Sequence, residues 1–383
     1  MPIHVTTLEI EKMQGIGDAR FRVAESTGMA YPAGTVIVSA DSHWLEGDIW
    51  IDRFPEHLKD RAPRMFFENG GWEMEVDGER LTPPGQAERT CAFECVPGFN
   101  NVEARLKDLD AEGVEKELLF PQRVFALMRL EELEHREWVF RAYNQHLSEV
   151  QAQQPDRLYG VPILNWWDPE GTRDALAEIK DLGFKTAMIP LSPGKFEDGE
   201  TIRYNEERME PFWQAIEDSG LPICFHIGEN SKAGGRGLAG IFVMEQMGGM
   251  RNMWSTMVFG GLFDRNPTLR VLFVESGLHW VPGALQEADM IYESFPTHVD
   301  RLSHNPSYYW HNNCWATFMV DPAGLEMLDR VGADRAMWSS DYPHNESTLG
   351  YTRSAVQAVF DATSEENAKK IVGGNAIEVF GLA

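Results

Sequence analysis

The chain has 383 residues, 43% of them hydrophobic, and its 60 acidic against 34 basic residues give a formal charge of −26. That size and apolar content allow a large core, and so acidic a surface argues against nucleic acid or an anionic membrane as a partner. Four cysteines (Cys91, Cys95, Cys224, Cys314) form neither a disulfide framework nor a zinc motif, and no apolar run approaches the ~20 residues that cross a bilayer.

The N-terminus shows no basic stretch leading an apolar one, so the expectation is a reduced, cytoplasmic protein. Residues 1–35, broken by Gly15, Gly17, Gly28, Pro32 and Gly34, read as an N-terminal arm or an irregular cap, with a subunit contact as one role open to it. Residues 36–43, Val-Ile-Val-Ser-Ala-Asp-Ser-His, predict a buried strand. Its period of two sets Asp41 and His43 on one face, so the strand ends either in half of a metal site or in a capped turn. Residues 44–101 carry Trp44, Trp50, Phe54, Trp72 and the Pro83-Pro84-Gly85 turn without a sustained helical period. They read as a long insertion with short elements of its own.

A regular alternation follows. A helix over 102–112 is closed by Gly113, and a strand is expected over 114–121. An amphipathic helix over 130–153 precedes a strand over 158–165. The helix over 169–182 is expected to take Asp168 as its N-cap and to end at Gly183. Next come a strand over 185–191, a helix over 205–219 stopped by Gly220, and a strand over 222–228. A Met- and Gly-rich helical region spans 240–263, followed by a strand over 270–277 and a helix over 282–295. Residues 298–313, with His298, His304 and His311, read as a second irregular stretch. A strand over 315–320, a helix over 322–331, a strand over 335–341 and a closing helix over 365–380 complete the chain.

Eight short apolar strands in a βα rhythm predict a parallel sheet, since parallel neighbours need helical crossovers. The expected fold is a single (β/α)₈ TIM barrel over residues 36–383, with insertions after strand one and before strand seven. An open doubly wound sheet usually has a glycine-rich turn after its first strand, where this chain has Asp-Ser-His-Trp.

A barrel presents its active site at the C-terminal ends of its strands. Asp41, His43, His226, Glu275 and Asp341 each end an apolar run, where an unpaired charge is costly. Alone, His226 in Phe225-His226-Ile227 reads as a satisfied core histidine. Five ionisable groups at matching strand ends read as a site. Nitrogen and oxygen donors without thiolates suit zinc, manganese or iron, with an open position for water or a substrate oxygen. Arg123, directly after strand two, is placed either to clamp a substrate carboxylate or to make a surface ion pair. Arg236, in the glycine-rich loop 233–240, is a second such candidate on a segment that could close as a lid. Trp44, with Trp166, Trp167 and Trp280, either lines an aromatic pocket or packs. His344 reads as an orienting neighbour of Asp341.

Several stretches carry a resemblance: Val38-Ser39-Ala40-Asp41-Ser42-His43, Phe225-His226-Ile227-Gly228, Glu275-Ser276-Gly277-Leu278-His279-Trp280-Val281-Pro282, Ser339-Ser340-Asp341-Tyr342-Pro343-His344, and Gly374-Asn375-Ala376 with Phe380-Gly381. In this order they resemble the amidohydrolase superfamily, and within it the branch of amidohydrolase-related decarboxylases and hydrolases. The resemblance implies a (β/α)₈ barrel, a homodimer and one divalent metal ion, zinc first and manganese or iron next. It implies Asp41, His43, His226 and Asp341 as the metal ligands. Strand one reads Asp-x-His where the family often has His-x-His or Glu-x-His. Strand six offers Glu275 where a histidine commonly acts as acid and base. Asp341, a carboxylate beside the implied metal and so able to hand a proton inward, is the expected proton carrier, with His279 or Glu275 as alternates. The expected reaction is metal-dependent, non-oxidative decarboxylation of a small, aromatic or unsaturated carboxylic acid. Hydrolysis of an amide, lactone or C–C bond is the second reading, and an inactive barrel with a binding role the third.

Overall fold

The computed structural model of the chain describes residues 22–24, 31–68, 70–81, 92–228 and 235–382. The expected arm over 1–35 lies mostly outside them. The first predicted strand is two short ones, β1 (Val38–Ser39) and β2 (His43–Trp44), on either side of Asp41. The stretch over 44–101 contains an antiparallel sheet, β3 (Arg64–Glu68), β4 (Gly71–Val76) and β5 (Glu79–Arg80), with short 3₁₀ turns around it.

The remaining strands are parallel: β6 (Lys116–Pro121), β7 (Leu158–Gly160), β8 (Ala187–Met188), β9 (Ile223–His226), β10 (Val271–Val274), β11 (Cys314–Phe318) and β12 (Ala336–Trp338). Hydrogen bonding divides them into two sheets, one in which β6 pairs with β1, β2 and β7, and one ordered β12-β11-β10-β9-β8. Two parallel bridges lie between these sheets, Ile163 with Met188 and Ser42 with Tyr342. At the first, Met188 N–H donates to Pro162 at 2.8 Å; at the second, His43 N–H donates to Tyr342 at 2.8 Å and Asp341 N–H to Asp41 at 2.9 Å. Leu118, Leu119, Phe120, Phe225, Leu272 and Phe273 are all buried. Such unbroken apolar runs, rather than alternating ones, suit strands covered on both faces.

The covering helices are α1 (Val102–Glu112), α2 (Val124–Leu127), α3 (Leu133–Gln151), α4 (Thr172–Asp181), α5 (Glu210–Ser219), α6 (Leu238–Phe259) and α7 (Leu262–Arg265), then α8 (Trp280–Ser294), α9 (Pro306–Asn313), α10 (Pro322–Glu326), α11 (Leu328–Val331), α12 (Thr352–Ala362), α13 (Glu365–Lys369) and α14 (Asn375–Phe380). Gly113 closes α1 at φ 78°, in the left-handed region that glycine adopts without steric cost. No helix among the described residues is long and apolar enough to cross a membrane.

Four local expectations need correction. Helix α4 starts at Thr172, and Asp168 instead accepts the Gly171 N–H at 3.1 Å in the turn before it. The stretch over 298–313 ends in a helix, α9, with Pro306 in its first turn, where the missing N–H costs nothing. Helix α12 was not expected at all, although Thr352, Ala355, Val356 and Val359 form its buried stripe at helical spacing. The closing helix is interrupted by a π-helical segment at Lys370–Gly374. There Gly373 lies so close to β1 that a Cβ would sit 2.0 Å from the Val36 carbonyl oxygen.

Candidate metal centre

Strands that run parallel present all their C-terminal ends on one edge, and that edge gathers the ionisable residues. Asp41 is held between β1 and β2 by two backbone ties: its carbonyl accepts Ser39 Oγ at 2.6 Å and the Asp341 N–H at 2.9 Å. Ser340 N–H donates to Ser39 Oγ at 2.8 Å, and the Ser39 and Ser340 hydroxyls lie 2.9 Å apart. The two aspartates are thus locked together through their backbones, with hydroxyls behind them. His226 stands at the end of β9, in register with Val274 of β10, and Glu275 follows directly. Thr317 on β11 takes the Glu275 N–H on its hydroxyl at 2.8 Å.

Glu275 and Asp341 have φ of 57° and 53°. Non-glycine residues in the left-handed region cost about 1–3 kcal/mol each and persist only where the surroundings over-determine them. Both residues bring a carboxylate oxygen into the group of donor atoms. The side chains meet at short range: His226 Nε2 lies 3.2 Å from Asp41 Oδ1 and 3.7 Å from Glu275 Oε2. His43 Nε2 lies 3.3 Å from Asp341 Oδ1 and 3.7 Å from Asp41 Oδ1. Ligand-competent atoms of Asp41, His43, His226 and Glu275 all lie within 4.8 Å of one another, and so do those of His43, Glu275, Asp341 and His344.

Both imidazoles at the centre are oriented from behind. His43 Nδ1 meets the Pro121 carbonyl at 2.8 Å, and His226 Nδ1 meets the Ile227 carbonyl at 2.6 Å, so each Nε2 is left to face the cluster. Burial holds His43 well below the usual histidine value, with His344 and His226 adding to the effect. Burial likewise pushes Asp341 well up, reinforced by Asp41 and Glu346. Glu275 is also pushed well up, by burial first and then by Asp341. A buried His43 held neutral beside crowded carboxylates is a donor set suited to a cation. Asp41 Oδ2, His43 Nε2 and Asp341 Oδ1 are buried without a hydrogen bond. A divalent ion would satisfy all three, so the donor set fits one.

The structure therefore brings Asp41, His43, His226, Glu275 and Asp341 together, and adds His344, whose Nδ1 lies 3.0 Å from Asp341 Oδ1. The other residues singled out in the sequence lie elsewhere. His279 is half exposed, and its Nδ1 faces Asp321 at 3.2 Å. The Arg123 guanidinium donates to Glu94 at 2.6 Å and to the Trp72 carbonyl at 2.9 Å. Trp44 is buried, with its indole N–H on His146 Nε2 at 3.1 Å. Arg236 is exposed in a turn. Trp166 and Trp167 stack with Arg136 and Phe140, and Trp280 packs on Phe273 and Trp310.

Sequence reasoning missed Phe125, whose ring lies 4.9 Å from that of His226 and 6.1 Å from that of His43. It also passed over Gln122, whose Oε1 lies 2.9 Å from His344 Nε2. The position of Gln122 directly after β6, at the edge where the site residues gather, was the available signal.

A cluster of buried imidazoles and carboxylates on the C-terminal edge of parallel strands defines a candidate mononuclear metal centre on an α/β fold. The chain matches the amidohydrolase family over residues 97–382 and belongs to it. It is 26% identical over 305 residues to the γ-resorcylate decarboxylase of Rhodococcus jostii (strain RHA1), covering 73% of this chain and 87% of that one. A crystal structure of 2,6-dihydroxybenzoate decarboxylase with bound 2,6-dihydroxybenzoate superposes with a TM-score of 0.65 at 20% identity, covering 91% of this chain and 100% of that one. A 5-carboxyvanillate decarboxylase from Novosphingobium aromaticivorans DSM 12444, with manganese and 4-hydroxy-3-methoxy-5-nitrobenzoic acid bound, gives a TM-score of 0.66 at 20% identity over 94% of this chain and 99% of that one. At these identities the structural likeness speaks for the fold.

Proposed function

We propose that the protein catalyses metal-dependent, non-oxidative decarboxylation of a small aromatic carboxylic acid bearing a hydroxyl beside the carboxylate. The observation that carries this reading is the group of buried, unpartnered donor atoms on Asp41, His43 and Asp341, with His226 beside them, in a chain related to aromatic-acid decarboxylases. We read the two parallel sheets and their two bridges as one closed (β/α)₈ barrel over 36–383, preceded by an arm over 1–35 and carrying the insertion 44–101. A homodimer is the assembly that the family resemblance suggests.

Asp41, His43, His226 and Asp341 would hold the ion, and Glu275 stands in reach as a further carboxylate. Zinc, manganese and iron all suit this nitrogen and oxygen set. When bound, such an ion supplies a Lewis-acid anchor for the substrate carboxylate or its neighbouring hydroxyl. The ring of Phe125 offers an apolar wall beside the histidines, suited to an aromatic substrate and to excluding water. In the reaction the bond between ring carbon and carboxyl carbon breaks and CO₂ leaves. Its electron pair stays on the ring carbon, which takes a proton from the Asp341 carboxyl. Asp341 is suited to this by its place at the centre of the cluster, with its Oδ1 3.3 Å from His43 Nε2.

The test is to load the purified protein with manganese or zinc and supply a panel of hydroxybenzoates in ¹⁸O-labelled water. Release of CO₂ with an unlabelled phenol supports decarboxylation. Product carrying ¹⁸O with no CO₂ would convert the reading to hydrolysis at the same residues.

A further inference from the structure

The corner between β6 and α2 carries Phe125 to the metal centre, and a buried carboxylate from just past β2 grips that corner. The strand pairing of β6 with β2 ends where Pro121 meets Trp44. Up to there the sheet fixes the backbone: Phe120 N–H donates to the Ser42 carbonyl at 2.7 Å, and the Pro121 carbonyl meets His43 Nδ1 at 2.8 Å. Past it, successive N–H groups turn to Glu46 instead. Its Oε1 accepts those of Gln122, Arg123 and Val124 at 2.9, 3.1 and 3.2 Å, and its Oε2 accepts that of Arg123 at 3.0 Å. Glu46 is buried. A carboxylate has about four lone-pair sites, so one side chain can serve donors that the start of a helix leaves without intrahelical partners. The Arg123 guanidinium is tied elsewhere, to Glu94 and the Trp72 carbonyl, but a long side chain anchored at its tip leaves its backbone latitude. Glu46 holds the backbone itself.

What the corner delivers is the ring of Phe125. It lies 4.9 Å from that of His226, with 37° between the planes, and 6.1 Å from that of His43. Gly228 is close as well, since a Cβ there would stand 3.8 Å from the ring. Phe120 is equally near His226 but is wholly buried, whereas Phe125 is half-buried and keeps surface for a ligand. Phe125 directly follows the last N–H that Glu46 takes, and Ala126 N–H closes the turn on the Arg123 carbonyl at 3.0 Å. A shift of the corner is therefore passed straight to the ring.

We propose that Glu46 is a positioning residue that sets the Phe125 ring as the wall on which the substrate's ring stacks, so that the two together select flat aromatic acids over saturated ones. The selectivity rests on the reading of the substrate as an aromatic carboxylic acid, but the placement of Phe125 by Glu46 is a property of the protein whatever the reaction. A mere turn cap predicts something else: lower stability with unchanged selectivity.

The test uses the full-length, manganese-loaded protein and needs no turnover. Calorimetry compares the affinities of benzoate and cyclohexanecarboxylate, acids of equal charge that differ in a flat against a puckered ring. The wild type is expected to prefer benzoate by about three- to tenfold, the range of an aromatic pair. Phe125→Leu and Glu46→Ala should each bring the ratio close to one with metal content unchanged, because His43 is held from β6 before the corner. The double variant should match Phe125→Leu, since two residues acting through one contact are not additive. Separately, 4-fluorophenylalanine placed at position 125 reports the ring by ¹⁹F NMR. Its line should move or split in Glu46→Ala. If that variant does not fold, Glu46→Gln decides: its amide keeps one acceptor oxygen but sets a donor against the Arg123 N–H, so the line should still move. A line unmoved in every Glu46 variant that folds overturns the proposal. So does a benzoate preference that is absent from the wild type or survives Phe125→Leu, or one that falls further when Glu46→Ala is added to Phe125→Leu. A wild type with the expected ¹⁹F behaviour and selectivity but no CO₂ release overturns the decarboxylase reading and leaves the positioning role standing.

Discussion

His43 Nε2 and Asp341 Oδ1 face each other across 3.3 Å, both buried, and neither makes a hydrogen bond. An unpartnered buried polar atom costs about 1–3 kcal/mol, and Asp41 Oδ2 adds a third beside them. Folded proteins rarely leave three such atoms around one point unless something else satisfies them.

Metal binding should therefore stabilise the fold. An ion at a hundredfold excess over its Kd adds about 2.7 kcal/mol to unfolding. Protein stripped with chelator should melt lower than the same protein with manganese or zinc restored, by differential scanning fluorimetry. His226→Ala should abolish the difference. Identical melting of wild type and variant with every divalent ion tried would remove the metal site.

Asp341→Asn preserves the volume at the centre and removes the proton. Turnover should fall by about 10²- to 10⁴-fold, the range that positioned acid catalysis contributes. Metal content, measured by elemental analysis, should change far less than turnover. Undiminished kcat in this variant would take Asp341 out of the proton transfer.

The buried pair Arg105–Glu117 links stability to the site. Both side chains are fully buried, Arg105 donates to both Glu117 oxygens, and it donates to the His43 carbonyl at 2.8 Å. Glu117→Leu leaves an uncompensated buried guanidinium and should cost about 3–5 kcal/mol by urea denaturation. Metal affinity should weaken with it, because the His43 backbone loses its anchor. A stability loss with unaltered metal affinity would show that His43 is held by the strands alone.

How much of this was legible in the sequence depended on range. The apolar runs ending in Asp41, His226, Glu275 and Asp341 are local patterns, and the strand positions followed from them. The left-handed backbone at Glu275 and Asp341 left no local mark, since nothing in side-chain order distinguishes it from a strand that continues. Arg123 looked free to meet a substrate because its partner Glu94 is 29 positions away, in a stretch with little periodicity. Gln122 and His344 are 222 positions apart, which hid their link. The three-stranded sheet β3–β5 was obscured because its buried Met65, Met74 and Val76 stand among charged residues, one of which, Glu73, is itself buried.

A pH dependence follows from His279 and Asp321. The Asp321 hydrogen bond raises His279 against the effect of burial. Asp321 is lowered overall: burial pushes it up, but His279 and the N–H groups of Gly324 and Leu278 outweigh that. For His279 the stabilisation is complete below its unfolded value, about 6.5, and is lost as pH rises through the higher folded value. For Asp321 it is complete above about 3.9 and is lost as pH falls through the lower folded value. The stability difference between wild type and His279→Ala should therefore be largest between about pH 4 and 6.5 and shrink toward alkaline pH. Urea midpoints across that range measure it, and a difference that grows with pH would contradict the assignment.

The most direct measurement supplies carboxyl-¹³C 2,6-dihydroxybenzoate and related hydroxybenzoates to the metal-loaded protein in D₂O. Decarboxylation predicts ¹³CO₂ and a phenol with a single deuterium at the carbon that bore the carboxyl, with neither formed by His226→Ala. Products that retain the ¹³C label, or equal label release by wild type and His226→Ala, would contradict it.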